Sequence, residues 1–362
     1  MTKNILHIDH EKIWRGGQNQ TFELITQLKN YQSFLASPAD SVLAKKLQNI
    51  CLNAPMDIRN DLDFLAGIKL KKIIEHNQIA IAHAHTSKAH AALLWACMLG
   101  ARVKTVVHRR VLPDTKKKIS TTLKYQSSKI DCYICVSHAV GRGLEIIGVP
   151  QHKIHVIPSG VNGQNYLPLD KIHAREILQT QYGFDRSKKI LICAAHLSHL
   201  KGQKYLIESL KNLPKNFVCF FIGEGEDRKV LETMTANFQL KSEVFFTGFQ
   251  GDIRPYLAAA DISVLPTLWE GLGSILLESA LSGCCLIASD VGGIPEIITQ
   301  NVTGVLVPPQ NSLALQDAIQ DLFSQPDKMR KLATAAKNFV AEKFNFEEVA
   351  LKTELLYNGL LT

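Results

Sequence analysis

DISVLPTLWEGLGSILLESALSG, residues 261–283, is the stretch whose reading decides the fold. DISVLP, 261–266, is a short apolar run with the length and composition of a buried strand. Gly271 and Gly273 then break the pattern, and SILLESALSG resumes it with helical spacing. Strand, glycine turn and helix start make an anion site, because the first N–H groups of a helix have no partners inside it. Glu270 and Glu278 stand eight positions apart on this unit. Glu278 lies among Ile275, Leu276, Leu277, Ala280 and Leu281, and a carboxylate in such company is costly unless it meets hydrogen-bond donors. A sugar diol, such as a nucleotide ribose, supplies them. The plainer reading makes Glu278 the polar face of an ordinary helix and Glu270 a loop charge.

The same alternation runs outward in both directions. Strand-like runs in the first half are NILHID (4–9), QSFLAS (32–37), IAIAHAH (79–85), KTVVHRR (104–110), YICVS (133–137) and KIHVIPSG (153–160). Helical stretches such as 18–30 and 88–100 lie between them. The second half repeats the scheme with KILICAAHL (189–197), FVCFFIG (217–223), EVFFTG (243–248), DISVLP (261–266), CLIASD (285–290) and GVLVP (304–308). Strands alternating with helices predict parallel sheets, and two such sets predict two Rossmann-like α/β domains joined near 161–169. Ligands of such sheets lie beyond the carboxyl ends of the strands.

Composition narrows the class. The 362 residues are 46% hydrophobic and 20% charged, as in a globular protein of two domains. No uninterrupted apolar run of about 18 residues is present, so no spanning helix is expected. The N-terminus MTKNILHIDH reads as a strand rather than a signal peptide, and eight cysteines scattered through apolar runs suit reduced thiols in the cytoplasm. Cys132 and Cys135 form a CxxC inside a strand-like run with no second ligand pair, which disfavours zinc or redox chemistry. Asp61 and Asp63 form a DxD in a polar insert, read as loop. The net charge of +8 is uneven: residues 1–165 carry 22 Lys/Arg against 11 Asp/Glu, and residues 166–362 carry 19 against 22. Lys69, Lys71, Lys72 and Lys116, Lys117, Lys118 are candidate contacts for an anionic membrane, the rival being solvated lysine. Neither cluster is interleaved with aromatics, so nucleic acid is not expected.

Polar residues collect at the expected strand ends. Gly16 and Gly17 follow the first strand in WRGGQ, where backbone N–H groups could approach a phosphate or simply make a turn. His108 ends the strand at 104. In the second half Lys201 and Gly202 follow the first strand, Gly223 and Gly225 the second, and Phe249 the third, where a base could stack. Together with Glu270 and Glu278 they describe a nucleoside-diphosphate site in a cleft between two α/β domains.

The Lys201–Gly202 pair, FIGEGEDRKVLE, the block from VFFTGF at 244 to IPEII at 298, and TGVLVPP resemble the retaining nucleotide-sugar glycosyltransferases of family four, with specific order and spacing over 155–340. The first half matches more loosely through WRGGQ, HAHTSKAHAALLWA, TVVHRR, CVSHAV and VIPSGV. The resemblance implies the GT-B fold, two Rossmann-like domains with parallel sheets facing across a cleft: an acceptor-side domain over 1–165, a nucleotide-sugar domain over 166–343, and a last helix, 344–362, returning to the first. It implies Glu270 and Glu278 as the paired glutamates, the first near the donor sugar and the second on the ribose hydroxyls. It implies Lys201 on the leaving diphosphate, His108 near the reacting carbon, Gly16 and Gly17 on the phosphate side, and Gly271, Leu272, Gly273 and Ser274 around sugar and phosphate. Gly225 and Phe249 fall among the donor-binding positions. Where the family has an arginine five residues before the lysine, this chain has His196, so the diphosphate would rest more on Lys201 and helix N-termini, with His199 a further candidate. The expected reaction is metal-independent glycosyl transfer with retention, needing no cofactor beyond the nucleotide-sugar donor. The expected acceptor is a glycan or glycolipid of the cell envelope, such as lipopolysaccharide core, handled in the cytoplasm or on the cytoplasmic face of the membrane. Alternatives are a soluble enzyme acting on a small acceptor, a GT-B sugar epimerase, and a non-catalytic interaction protein.

Overall fold

FVCFFI, Phe217–Ile222, is buried along its whole length and serves two cores at once. Phe217, Cys219 and Phe221 pack with Leu191, Cys193 and Val264 on one face of a sheet. Val218, Phe220 and Ile222 pack with Ile190, Ile192 and Leu257 on the other. A sheet covered by helices on both faces has no polar face, which is why its strands read as continuous apolar runs.

The computed structural model describes residues 3–114, 119–166 and 169–362, which leaves Lys116, Lys117 and Lys118 outside the described residues. The chain divides into two units, Met1–Gly160 with Phe346–Thr362, and Val161–Asn345. The first unit contains β1 (Lys3–Ile8), α1 (Gly16–Gln27), β2 (Tyr31–Ala36), α2 (Val42–Leu47), β3 (Leu52–Asn53), α3 (Phe64–His76), β4 (Ile79–Ala84), α4 (Ser87–Met98), β5 (Lys104–Arg109), α5 (Ile119–Tyr125), β6 (Cys132–Cys135), α6 (His138–Ile146) and β7 (Ile154–Val156). The second contains α7 (Lys171–Tyr182), β8 (Lys189–Ala194), α8 (Gln203–Leu210), β9 (Phe217–Ile222), α9 (Arg228–Asn237), β10 (Val244–Gly248), α10 (Arg254–Ala259), β11 (Ile262–Leu265), α11 (Ser274–Leu281), β12 (Cys285–Ser289), β13 (Val305–Val307), α12 (Ser312–Ser324) and α13 (Pro326–Lys343). The last helix, α14 (Phe346–Leu361), belongs to the first unit.

Each sheet is wholly parallel among the described residues, in the orders β3-β2-β1-β4-β5-β6-β7 and β10-β9-β8-β11-β12-β13. Both orders reverse at their first strand. The gaps β1/β4 and β8/β11 are therefore the switch points, where a crevice opens at the carboxyl ends. The strand expected over 153–160 is shorter, β7 ending at Val156, and Pro158 lacks an N–H to continue a ladder.

The chain leaves the first unit at Gly160 rather than at 165. A Cβ at Gly160 would lie 2.9 Å from Phe346 Cα, so the bare backbone lets α14 start against it. Gln20 bonds both polar groups of Gly160, at 2.8 and 3.0 Å. Tyr31 Oη donates to Asn358 Oδ1 at 2.6 Å, fixing the far end of α14 beside β2.

In the second unit one carboxylate joins three elements. Asp261 is buried; it accepts from Lys171 Nζ at 3.0 Å, Arg175 Nη2 at 2.9 Å and the Ile190 N–H at 2.9 Å. Burial pushes its carboxyl up, but Lys171 and Arg175 outweigh burial and hold it below the usual range. A depressed carboxyl contributes stability above its unfolded pKa, and that contribution is lost as pH falls below about 4. Asp261→Asn is expected to cost about 2–3 kcal/mol at pH 7, because two cations lose their counter-charge. Urea unfolding at pH 7 and at pH 3 checks this: the gap between variant and parent should narrow in acid.

Candidate active site

The loop after β8 lies directly on the end of β11. Gly202 has φ +67°, and a Cβ there would fall 2.0 Å from Pro266 O, so a side chain would push the strands apart. Leu268 N and Thr267 Oγ1 both donate to Leu200 O, at 2.8 and 3.0 Å. This zipper brings Lys201 Nζ to 2.5 Å from Glu270 Oε2 across the β8/β11 switch point, with both side chains mostly but not fully buried. Glu270 Oε1 takes the Gly271 N–H at 3.1 Å.

Behind this pair, Gly271, Leu272 and Gly273 are buried and Ser274 is half-buried. Gly273 caps α11 in the left-handed region at φ 89° with no side-chain cap, so the helix start keeps unpaired N–H groups. Glu278 sits one turn on, half-buried; burial pushes its carboxyl up to about 7, opposed by a hydrogen bond from Tyr166.

The other donor-side positions form the rim of the second sheet. A Cβ at Gly225 would lie 2.1 Å from Leu197 O, so that glycine locks the β8 loop onto the β9 loop. Phe249 follows β10 and is 60% exposed. His196, in the place of the family's arginine, is exposed and pairs through Nε2 with Glu226 Oε2 at 2.9 Å. Its backbone carbonyl accepts from Gln203.

Gly16, Gly17 and His108 lie in the first unit. Gly16 and Gly17 open α1, which has no side-chain cap. His108 lies on β5, and neither ring nitrogen has a partner among the described residues although both are shielded from solvent. Burial, with the nearby Arg110 charge, holds this imidazole well below its ordinary range, so it is neutral at pH 7. A neutral imidazole offers one donor and one acceptor.

Around His108 stands a cluster that sequence reasoning passed over. His7 and His83 are direct register partners on β1 and β4, so they share a face, and His85 follows His83 by two residues. The signal was present as a period of two in NILHID, IAIAHAH and VVHRR, where the inward face turns from Ile or Val to His at the carboxyl end. His7 Nδ1 lies 2.9 Å from His85 Nε2, and Arg110 Nη2 lies 3.2 Å from His85 Nδ1. Arg110 is half-buried, and burial lowers it to about 10, with Asp9 and Tyr357 opposing. His7, His83 and His85 present nitrogens within 4.8 Å of one another. The arginine donates to His85 Nδ1, and the chain passes from His85 to His7, so these groups read as a hydrogen-bond network rather than a cation cage.

Two motifs find structural employment. Asp63 caps α3, accepting from the Ala66 and Arg59 N–H groups, and Asp61 pairs with Lys124 at 2.8 Å. Cys132 and Cys135 are buried within β6, and burial pushes both thiols up to about 12, where thiolate chemistry is suppressed.

Two family descriptions tile the chain: Glycosyltransferase Family 4 over residues 15–164 and Glycosyl transferases group 1 over 174–339. EpsD of Bacillus subtilis, which bears a glycosyltransferase name, is 30% identical over 279 residues, 73% of this chain and 72% of its own. This chain belongs to glycosyltransferase family 4. The UDP-Gal:alpha-D-GlcNAc-diphosphoundecaprenol alpha-1,3-galactosyltransferase of Escherichia coli is 28% identical over 286 residues, 74% of this chain and 71% of its own. In fold, the Anabaena protein HepE, solved with UDP and glucose, superposes with a TM-score of 0.89 at 20% identity, covering 99% of this chain and 100% of its own. The architecture is GT-B, two Rossmann-like units, and the protein is a glycosyltransferase.

In this glycosyltransferase the raised carboxyl of Glu278 works against folding. It costs nothing below its unfolded value near 4.5; the cost grows as pH rises toward about 7 and is complete above it. Glu278→Gln keeps an oxygen for Tyr166 without the charge. It is expected to stabilise the ligand-free protein at pH 8 by about 2 kcal/mol and to leave it unchanged near pH 4.5. Thermal unfolding of both proteins at the two pH values checks this, and a variant less stable at pH 8 would contradict it.

Proposed function

We propose that the protein is a retaining, metal-independent glycosyltransferase that moves a sugar from a nucleoside-diphosphate donor to a glycan or lipid-linked acceptor in cell-envelope polysaccharide or lipopolysaccharide synthesis. The observation that carries the reading is the Lys201–Glu270 pair at the β8/β11 switch point, beside the uncapped start of α11 and one turn from Glu278. A diphosphate competes with Glu270 for Lys201 and meets the helix N–H groups, which stabilise the leaving group as the sugar gains oxocarbenium character. Glu270 is then released toward the sugar. The ribose diol donates to Glu278, and Phe249 offers an exposed ring for the base. Gly16 and Gly17 serve the phosphate side, and His108 meets a sugar hydroxyl with its two unpartnered nitrogens. HepE was solved with UDP, and the Escherichia coli relative is named for a UDP-sugar donor and a diphosphoundecaprenol-linked acceptor; both favour a uridine donor here, and the second a lipid-linked acceptor.

The test is a thermal-shift screen of UDP-, GDP- and ADP-sugars. A ligand at 100 times its dissociation constant adds about 2.7 kcal/mol. Lys201→Ala is expected to abolish most of that shift. With the donor so chosen, Glu278→Ala should raise the donor KM by about tenfold or more, since ribose contacts persist into the transition state. Glu270→Ala should instead lower kcat by about 10²-fold. Equal effects of both variants on both constants would remove the assignment.

A membrane-facing role has its own support in the first unit. Leu62, in the turn before α3, and Leu65, in its first turn, are 80% and 71% exposed, and Lys69 and Lys72 continue the Leu65 face. Among the described residues no helix is long and apolar enough to cross a membrane. Shallow apolar contact beside basic charge is the pattern of a peripheral lipid surface. Vesicles containing anionic phosphatidylglycerol should bind the protein at low salt and release it as salt rises past the screening range. The Leu62→Asp/Leu65→Asp variant should bind them at least about fivefold more weakly, whereas wild-type binding by that variant would leave α3 a solvated face.

A further inference from the structure

His108 has no hydrogen bond to hold it, so something else fixes its ring. That ring lies parallel to His83, centroids 5.5 Å apart and planes 2° apart. His83 is in turn gripped from the C-terminal helix: Tyr357 Oη lies 2.5 Å from its Nδ1, and the two rings meet edge to face at 87°. Tyr357 is fully buried, and burial keeps its hydroxyl protonated far above neutral pH. With the phenol donating, His83 Nδ1 is the acceptor and the imidazole proton sits on Nε2. The reverse tautomer would donate Nδ1–H to the phenol oxygen and leave the buried phenol O–H without an acceptor among the described residues. His83 also packs against His85, centroids 4.1 Å apart, which Arg110 and His7 hold and which lies 5.9 Å from the His108 ring. Tyr31 closes the base edge-on to Tyr357 at 5.7 Å.

We infer that Tyr357, on the last helix, is a positioning residue for His108, acting through His83. The hydroxyl fixes the tautomer and plane of His83, and the His83 plane fixes the face along which His108 rests. The inference rests on the reading of His108 as a sugar-contacting group. It goes beyond that reading by making α14 part of the catalytic geometry as well as of the fold.

The experiment combines ring-¹⁵N histidine spectra of the ligand-free protein with UDP release from UDP-glucose, or the corresponding release from whichever nucleotide sugar the thermal screen selects. In the parent, His83 should show one Nε2–H tautomer. Tyr357→Phe should mix its tautomers and shift the His108 ring signals. The same change should lower kcat about tenfold with the donor KM within about twofold, and in a His108→Ala background it should have no further effect on kcat. Pairing it with His83→Phe keeps two rings and removes both polar partners, so part of the lost kcat should return. His108 signals unmoved in Tyr357→Phe overturn the inference, and so does an equal loss of kcat in the parent and His108→Ala backgrounds. If His108→Ala alone leaves kcat unchanged, the reading of His108 fails, and the spectra still decide whether Tyr357 orients it.

Discussion

The reversal of strand order beside the first strand of each sheet is the constraint on which the rest of this molecule depends. Elsewhere in a parallel sheet the loops after neighbouring strands leave toward the same face and crowd together; at the switch point they leave toward opposite faces and open a crevice. The second sheet uses that gap for Lys201 and Glu270, one from the loop after β8 and one from the loop after β11. The first uses the gap between β1 and β4 for His7, Asp9 and His85. Gly202 makes the second arrangement possible, since any Cβ there would collide with Pro266 O and separate the two loops that carry the ion pair.

The sequence was legible where burial leaves a periodic mark. Continuous apolar runs such as FVCFFI and CLIASD announced parallel strands covered on both sides, and the glycine turn before SILLES announced α11. Glu278 was legible for the same reason, as a charge among apolar neighbours, and burial does raise its carboxyl. The Tyr166 hydrogen bond to it was not legible, because Tyr166 lies in a turn remote in sequence and no local pattern couples the two. The imidazole cluster shows a different failure. Each histidine alone reads as an ordinary polar residue at a strand end, and only the register of β1, β4 and β5 places them on one face. The partner of His196 was hidden likewise: Glu226 is near only because Gly225 lets the β9 loop touch Leu197.

The two units solve the charge problem differently. In the second, a lysine and a glutamate neutralise each other at 2.5 Å, so the diphosphate of the proposed donor would exchange one anion for another without exposing bare charge. In the first, the strand ends carry neutral imidazoles around one half-buried guanidinium, with burial the main force on every ring. Neutral rings keep a single cation, Arg110, from becoming a self-repelling cluster.

Both arrangements leave groups less satisfied than the surrounding core. Glu278 is held with a raised carboxyl, His108 has two shielded nitrogens without partners, and α11 begins without a side-chain cap. An unsatisfied buried polar group costs about 1–3 kcal/mol, and a fold assembled for stability alone would remove it. These groups fall at a strand end and in the first turns of one helix, where the proposed donor would bring hydroxyls and phosphate oxygens, whereas the buried Asp261 and Gln20 already have their hydrogen-bond partners. Removing the deficits one by one should therefore stabilise the empty protein while weakening its hold on a nucleotide sugar, the trade expected where binding energy is stored as unsatisfied polarity.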